Sequence, residues 1–363
     1  MDSREALVAL NLVPDIGPVT VRHLLDQFGD AVAVLKATRR DLMQVDRVGP
    51  KTAEAILQWE QAIDLKGELQ RARDFECRII TCTDDEYPPL LREIYDPPII
   101  LYVRGELTER DRHAAAMVGT RMLTQYGRVT AANLSGQLAR AGLTIISGGA
   151  RGIDTVSHEA ALAAGGRTVA VLGTGMDIVY PAENAALYRR IPENGAVITQ
   201  FPFGRRGDKQ SFPIRNRIVA GMARATVVVE ANRASGALIT ANFAADYGRT
   251  VFAVPGRIDA PRSTGCHDLI RDGAQLCGCA DDVLEEFDQL RLSPAEVTDD
   301  RPMPKLSSQE EAIYEALSNE ERAFDDIVGA TKLPVAEVNV GLLQLELKHL
   351  AKQLPGRLFM RNR

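Results

Sequence analysis

The sequence predicts an α/β protein built on a Rossmann-like, doubly wound and mostly parallel sheet. Short β-branched runs alternate with helical stretches over residues 76–285, which is the rhythm of strands joined by covering helices. Most of these runs are apolar throughout, as expected for strands that are buried on both faces. The sheet is therefore the predicted centre of the chain, with an all-helical segment before it and a winged helix after it.

The sequence of residues 1–75 predicts short helices joined by glycine turns. The pieces Val13–Leu25 and Val45–Leu57 share one pattern: an apolar residue, a glycine, a two-residue gap and then a helix with apolar residues at helical spacing. This pattern resembles a duplicated helix-hairpin-helix in a small domain of the sterile-alpha-motif type. The turns can present backbone N–H groups to a phosphate, but acidic residues surround them (Asp15, Asp41, Asp46), which favours packing or protein contact.

Eight strands are predicted in the central segment, 76–285. They are Arg78–Thr81, Ile99–Val103, Ala115–Val118, Leu143–Ile146, Thr168–Leu172, Ala196–Thr199, Thr226–Val229 and Thr250–Val254.

The last part of the chain predicts a linker, 286–305, and a winged helix, 306–363. Helices are predicted over Ile313–Leu317, Phe324–Gly329 and Val335–Leu347, followed by a wing hairpin at 356–360. The third helix would be the recognition helix, but it carries Glu337 and Glu346 and has only Lys348 at its end. A protein-contact or autoregulatory module is favoured over one that reads the major groove.

Charge is segregated along the chain. The total of 43 Lys+Arg against 49 Asp+Glu gives a net charge of −6, which by itself argues against a nucleic-acid partner. Residues 113–280, however, hold 18 basic and 11 acidic residues, a balance of +7, and the rest of the chain carries −13. All but one of these basic residues are arginines, whose planar forks of donors suit phosphate oxygens. The central domain is thus predicted to bind an anionic partner.

The sequence predicts neither a membrane span nor a cofactor. No apolar run approaches the roughly 20 residues that a span requires, and the first residues lack the order of a secretory signal, so we expect a cytoplasmic protein. Five cysteines without a repeated C-x-x-C pair predict neither a disulfide framework nor a metal site. The Rossmann fingerprint G-x-G-x-x-G is missing after the first strands, and no G-x-x-x-x-G-K-[ST] motif occurs.

Glycine with Ser, Thr or Arg follows successive predicted strands. Glycine lets a backbone approach a ligand closely, and helix N-termini at strand ends bind anions. Any one of these loops is more often a plain turn, but together they predict a phosphate-rich ligand at the carboxyl edge of the sheet. The candidate residues are Gly119, Thr120, Arg121, Ser147, Gly148, Gly149, Arg151, Gly152, Gly173, Gly175, Ser235, Gly236 and Thr240.

A second cluster, 209–221, places three cations and an aromatic residue at the start of a predicted helix. Its candidate residues are Lys209, Phe212, Arg215, Asn216 and Arg217. The cations can follow a phosphate backbone while Phe212 stacks on an unpaired base, as in single-strand binders. The alternative is an ordinary helix start, with Phe212 in the core and solvated arginines.

These motifs, taken in order, resemble those of the DNA-processing protein A (DprA, also called Smf) family over roughly residues 80–280. They are Gly119-Thr120-Arg121, the 147–154 loop, Gly173-Thr174-Gly175, Tyr180-Pro181-x-x-Asn184, Phe212-Pro213-x-Arg215-Asn216-Arg217, Ser235-Gly236-x-Leu238-x-Thr240 and Gly248-Arg249 with the strand that follows to Gly256. After Tyr180-Pro181, where some members have a basic residue, this chain has Ala182.

The resemblance implies a protein that binds single-stranded DNA, protects incoming strands during natural transformation and loads the RecA recombinase onto them. It also implies a homodimer formed through the Rossmann-like domain, and no enzymatic activity. The DNA contacts it implies are Arg121, the 147–152 loop, Lys209, Phe212, Arg215 and Arg217.

Two other functions stay open from the residues. A nucleotide-binding or nucleotide-cleaving enzyme of the lysine-decarboxylase-like group could use Glu230 and Asp154 as acid and base, although its P-G-G-x-G-T-x-x-E string is absent. Asp154 is more simply a residue that caps its helix or orients Arg151, and His158 a packing residue. The third possibility is an interaction protein in which the terminal modules matter most.

Overall fold

The computed structural model describes residues 1–287, 306–318, 322–348, 350–354 and 358–361. The chain divides into two compact units, Met1–Ser293 and Pro294–Arg363. All but the first two residues of the predicted linker 286–305 lie outside the described residues. In these ranges, no helix combines the length and the apolar character that a membrane crossing needs.

Seven short helices open the first unit: α1 Ser3–Leu12, α2 Pro18–Phe28, α3 Ala31–Lys36, α4 Arg39–Leu42, α5 Pro50–Leu57, α6 Trp59–Ala62 and α7 Leu65–Asp74. Helices α2 and α5 each begin at a proline that follows a glycine N-cap. Proline suits this position because its fixed φ is already helical and the N–H it lacks would have no helical partner. The two predicted helical hairpins are therefore confirmed as α1–α2 and α4–α5.

Nine strands form one sheet in the order β1-β2-β6-β5-β4-β3-β7-β8-β9. Their bounds are β1 Arg78–Thr81, β2 Ile100–Gly105, β3 Ala114–Val118, β4 Thr144–Ser147, β5 Thr168–Val171, β6 Gly195–Thr199, β7 Ala225–Val228, β8 Thr250–Ala253 and β9 Gln275–Leu276. Only β1–β2 and β2–β6 pair antiparallel. All eight predicted strands are confirmed, whereas the ninth was missed because it is two residues long and exposed.

Helices cover both faces of this sheet, as the doubly wound prediction requires. On one face, Ile218, Val219 and Ala241 share a core with the strands. The other face packs against Leu134 and Val156 at its centre and against the N-terminal helices near β2 and β6. The remaining helices are α8 Pro89–Arg92, α9 Gln125–Arg140, α10 Ile153–Ala163, α11 Ala185–Arg190, α12 Ser211–Met222, α13 Gly236–Asp246, α14 Thr264–Arg271 and α15 Ala280–Leu284.

The second unit is a winged helix, as predicted. It contains α16 Ser308–Ala316, α17 Phe324–Thr331, α18 Val335–Leu347 and a small sheet in the order β10-β12-β11, with β10 Arg322–Ala323, β11 Ala351–Leu354 and β12 Leu358–Arg361. Strands β11 and β12 pair antiparallel, which is the expected wing, although its predicted residues 356 and 357 lie outside the described part. Lys348 at the end of α18 bonds the buried carboxylate of Glu310 at 2.6 Å.

A buried carboxylate fastens the helical segment to the sheet. Glu68 of α7 is 1% exposed, and its Oε1 accepts hydrogen bonds from the Tyr102 hydroxyl at 2.6 Å and from the Phe203 N–H at 3.0 Å. Its Oε2 accepts a bond from Arg71 at 2.9 Å. Residues 1–75 therefore share one unit with the sheet, and the boundary at residue 75 stays a prediction.

Replacing Glu68 with alanine should destabilise the whole first unit. The Tyr102 hydroxyl and the Phe203 N–H would lose a charged acceptor inside the protein, and each buried unsatisfied donor costs about 1–3 kcal/mol. Denaturant unfolding should show a loss of about 2–4 kcal/mol, against less than about 0.5 kcal/mol for the exposed control Glu60→Ala. Equal stability of the two variants would contradict this role.

Candidate nucleic-acid interface

The winding of the sheet reverses between β3 and β7. These strands are parallel neighbours, but the chain goes from β3 towards β4 on one side and from β7 towards β8 on the other. The loops that follow them diverge, and such a switch point opens a crevice at the carboxyl edge of the sheet, where ligands bind in folds of this type. The predicted glycine loops meet at this place.

A cavity of about 850 Å³ occupies the switch point. The N-terminal ends of α12 and α13 face it, so the positive ends of two helix dipoles favour an anion there. The predicted residues that line it are Gly119, Thr120, Arg121, Gly148, Lys209, Phe212, Arg215, Asn216, Ser235, Gly236 and Thr240.

The 147–152 loop is shaped by two close approaches. A Cβ on Gly148 would overlap the guanidinium of Arg215, and a Cβ on Gly152 would overlap the carbonyl of Thr120. Gly152 also has φ +87°, a conformation that favours glycine. The glycines therefore let the loop lie against its neighbours, and only Gly148 of the predicted glycines in this loop lines the cavity itself.

Glu230 and Asp154 are occupied by backbone groups of the site. The Glu230 carboxylate accepts a bond from the Thr124 N–H at 2.9 Å, and its main-chain carbonyl accepts one from the Thr120 N–H at 2.7 Å. Asp154 accepts a bond from the Ala150 N–H at 3.2 Å, which closes the glycine loop. Burial raises the pKa of Asp154, and the charge of Arg215 opposes that shift. Both carboxylates thus hold loops in place.

Arg215 forms the floor of the cavity and not its rim. It is 4% exposed, and its Nη1 donates to the Val171 carbonyl at 2.7 Å. Its Nε has no hydrogen-bond partner among the described residues. Burial lowers the pKa of this guanidinium, and nearby Asp154 partly offsets the shift. Such a recessed, incompletely bonded cation favours an anion inside the cavity.

Phe212 is half-buried and already has partners on its ring. The guanidinium carbon of Arg121 lies 5.2 Å from the ring centroid, and the Tyr180 ring lies 5.3 Å away. The ring also fills the space that a Cβ at Gly173 would need. A base that enters the cavity would therefore meet the Arg121 guanidinium over Phe212, or displace it and stack on the ring.

The structure does not bring Arg217 to the cavity. It is 3% exposed, its Nη1 lies 3.3 Å from the Asp96 carboxylate, and its Nη2 bonds Gln200. Residues 215 and 217 are about 200° apart round a helix, so their side chains leave α12 in nearly opposite directions. The expected strand contact at Arg217 is corrected on this ground, because the side chain is buried and already paired.

The other predicted residues outside the cavity lining have structural contacts of their own. Ser147 is buried and donates to the Met117 carbonyl at 2.6 Å, and exposed Arg151 pairs with Glu183 at 2.7 Å. Asp154 therefore does not orient Arg151. The set that the structure places outside the lining is Ser147, Gly149, Arg151, Gly152, Gly173, Gly175 and Arg217.

The motifs missed several lining residues. Met122, Asp208, Asn232 and Arg262 all line the cavity. Asp208 caps α12 by accepting bonds from the N–H groups of residues 210 and 211, which lowers its pKa. Met122 and Asp208 each stood beside a predicted residue, Arg121 and Lys209, whereas Asn232 and Arg262 lie in loops that have no distinctive pattern.

Residues 78–288, more than half of the chain, match the model of the DNA recombination-mediator protein A family. The chain belongs to this family. Residues 297–357 match the DprA winged helix domain and residues 6–64 a helix-hairpin-helix motif.

Relatives with known names support the assignment. A putative DNA processing protein DprA of Mycobacterium tuberculosis is 42% identical over 95% of this chain and 88% of its own, and Protein Smf of Synechocystis sp. is 32% identical over 98% of both chains. The crystal structure of DNA processing protein A from Streptococcus pneumoniae matches with TM-score 0.70 and 34% identity, covering 78% of this chain and 98% of that one.

A second solved structure concerns the single-stranded DNA binding mode of DNA processing protein A from Helicobacter pylori. It matches with TM-score 0.53 and 27% identity over 59% of this chain and 98% of that one.

His158, beneath the glycine loop, should make stability depend on pH. It is fully buried, its Nδ1 lies 2.7 Å from the Thr168 hydroxyl, and burial together with Arg215 lowers its pKa to about 3. The pKa of His158 in the folded protein lies below its unfolded value of 6.5. The stability that neutral His158 contributes is therefore complete above pH 6.5 and is lost as the pH falls. Below pH 6.5 the free energy of unfolding should fall with a slope that approaches about 1.4 kcal/mol per pH unit.

Unfolding of the wild type and of His158→Gln between pH 7.5 and 5.5 tests this dependence. Glutamine keeps a polar group near Thr168 but does not titrate, so the variant should lose less stability over this range. Parallel curves for the two proteins would show that His158 is not the titrating group.

Proposed function

We propose that the chain is a cytoplasmic, non-enzymatic protein that binds single-stranded DNA, protects it and loads the RecA recombinase onto it in transformation or recombination. The cavity at the switch point carries this proposal, because Arg121, Lys209 and Arg262 line it above the recessed cation of Arg215. The positive balance of residues 113–280 extends that attraction to the surrounding surface.

The shape of the site favours an unpaired strand. A cavity of about 850 Å³ lies within the range of small-molecule sites, so it admits a nucleotide but not a duplex. Half-buried Phe212 and the Arg121 guanidinium supply the flat surfaces on which an unstacked base packs. The single-stranded DNA binding mode described for the H. pylori relative supports the same ligand.

A homodimer through the first unit is part of the proposal. Strand β9 is the last strand of the sheet, and Leu276 on it is 54% exposed. An exposed apolar residue on an open edge is the kind of surface that a second copy covers.

Fluorescence anisotropy with single- and double-stranded oligonucleotides at two salt concentrations tests the ligand class. We expect a preference for single strands and an affinity that falls steeply with salt. Arg121→Ala and Lys209→Ala should each reduce the slope of log K against log salt by about 0.7, the contribution of one single-strand phosphate contact. Arg112→Ala, at the opposite edge of the sheet, is the matched control.

Normal single-strand affinity in a folded Arg121/Lys209 double variant would contradict the proposed site.

Phe212→Ala should cost about 1–3 kcal/mol of binding free energy through lost stacking. Arg217→Ala should lower stability instead, because its partner Asp96 would lose its buried cation.

The enzymatic alternative has its own test. Incubation of the protein with nucleoside monophosphates should release no free base, because Asp154 and Glu230 are occupied by backbone N–H groups. Base release that is abolished by Glu230→Gln would establish the nucleotide-cleaving function in place of the proposed one.

A further inference from the structure

An exposed apolar patch lies beside the cavity and is not part of the predicted site. We define the rim patch as Met122, Tyr126, Val129 and Ile258, which are 71%, 53%, 47% and 94% exposed. Tyr126 and Val129 are three residues apart at the start of α9, so they share one side of that helix, and Met122 lies in the loop just before it. Ile258 belongs to the loop that follows β8.

Two contacts fix the rim patch next to the cavity. The Tyr126 hydroxyl donates to the Pro255 carbonyl at 2.8 Å, which holds the ring over the carboxyl end of β8 although the side chain is exposed. Met122 belongs to the cavity lining, as does Arg262, which follows the same β8 loop. The patch and the cavity therefore form one continuous surface along the carboxyl edge of the sheet.

The charges around the rim patch are mainly positive. Arg121 is exposed in the loop just before α9, and Arg262 lines the cavity and forms no ion pair among the residues that the structure describes. In the β8 loop the one carboxylate, Asp259, is paired with Arg257 at 2.8 Å. An anchored aromatic ring beside cavity-lining arginines is the combination that holds a single strand without reading its sequence.

We propose that the rim patch is a second stacking platform, which continues the strand path from the cavity towards β8. The next base outside the cavity stacks on Tyr126, while Arg121 and Arg262 hold the flanking phosphates. Because Tyr126 is fixed by Pro255 before the strand arrives, little side-chain entropy is lost on binding. The inference rests on the proposed function, since it requires that the cavity hold a nucleotide of the same strand.

Length-dependent binding tests the platform. We would titrate the full chain with oligothymidylates of increasing length, from the shortest that binds measurably to a 20-mer. Tyr126→Ala should weaken binding of the 20-mer at least about fivefold, as expected for the loss of one stacked base, and leave the shortest within about twofold. Tyr126→Phe keeps the stacking ring but loses the bond to Pro255, so it should bind the 20-mer more tightly than Tyr126→Ala and no more tightly than the wild type. Tyr126→Leu, which keeps bulk without a flat ring of π-electrons, should bind like Tyr126→Ala.

Tyr95→Ala is the matched control, since this tyrosine is 59% exposed and lies against Arg22 of the helical segment. It should leave binding of every length unchanged. A strand with 2-aminopurine at successive positions adds a local readout: one position should recover fluorescence in Tyr126→Leu, and a different one in Phe212→Ala.

Three results would overturn the proposal: wild-type affinity of Tyr126→Ala for the 20-mer, equal losses at all lengths, or equal losses in Tyr126→Phe and Tyr126→Ala. The first would favour a protein partner for this patch. If the wild type itself binds no single strand, the proposed function fails instead, so the two failures are distinguishable.

Discussion

The site depends on Glu230, the residue that follows β7 at the switch point. Its carbonyl accepts the Thr120 N–H and its buried carboxylate accepts the Thr124 N–H, so one residue holds two points of the loop after β3. That loop carries Arg121 and leads into α9 with Tyr126. A parallel sheet opens a crevice wherever its winding reverses, but the crevice becomes a defined surface only if the diverging loops are fixed. Glu230 fixes them without occupying the cavity.

Burial decides what each arginine of α12 does. Moving a guanidinium out of water costs several kcal/mol unless partners replace the water, and the two arginines differ in their partners. Arg217 faces the Asp96 carboxylate and Gln200, so a carboxylate compensates its charge within the protein, although its Nη1 makes no hydrogen bond among the described residues. Arg215 has one carbonyl bond, a nearby Asp154 and an Nε without a described partner, so a further anion in the cavity would improve its surroundings. The same helix therefore supplies one structural cation and one that favours a ligand.

The sequence was sufficient to predict the strands of the sheet, but it did not predict in which direction the side chains of the site point. Strands buried on both faces read as uninterrupted apolar runs, which is why eight were found and why exposed, two-residue β9 was not. The glycine loops marked the edge of the sheet at which the cavity lies, because close packing against Thr120 and Arg215 leaves no room for a side chain there. Whether Arg215 or Arg217 faces the cavity depends on how α12 is rotated against the sheet, which no local pattern encodes. No sequence motif marked Tyr126. An exposed aromatic residue in the first turn of a helix indicates a binding surface only when a cavity is known to lie beside it.

The charge segregation has a structural counterpart in the winged helix. Its α18 carries no arginine, its terminal Lys348 bonds Glu310, and its outward residues include Glu337, Val340 and Leu343. A recognition helix that holds a duplex needs cations near the phosphates, and in this helix the cation is already used inside the unit. The arginines of the first unit must then supply most of the long-range attraction for DNA. Val340 and Leu343 are each more than half exposed on α18, an apolar surface of the kind that a protein partner covers, and protein contact stays the prediction for this unit.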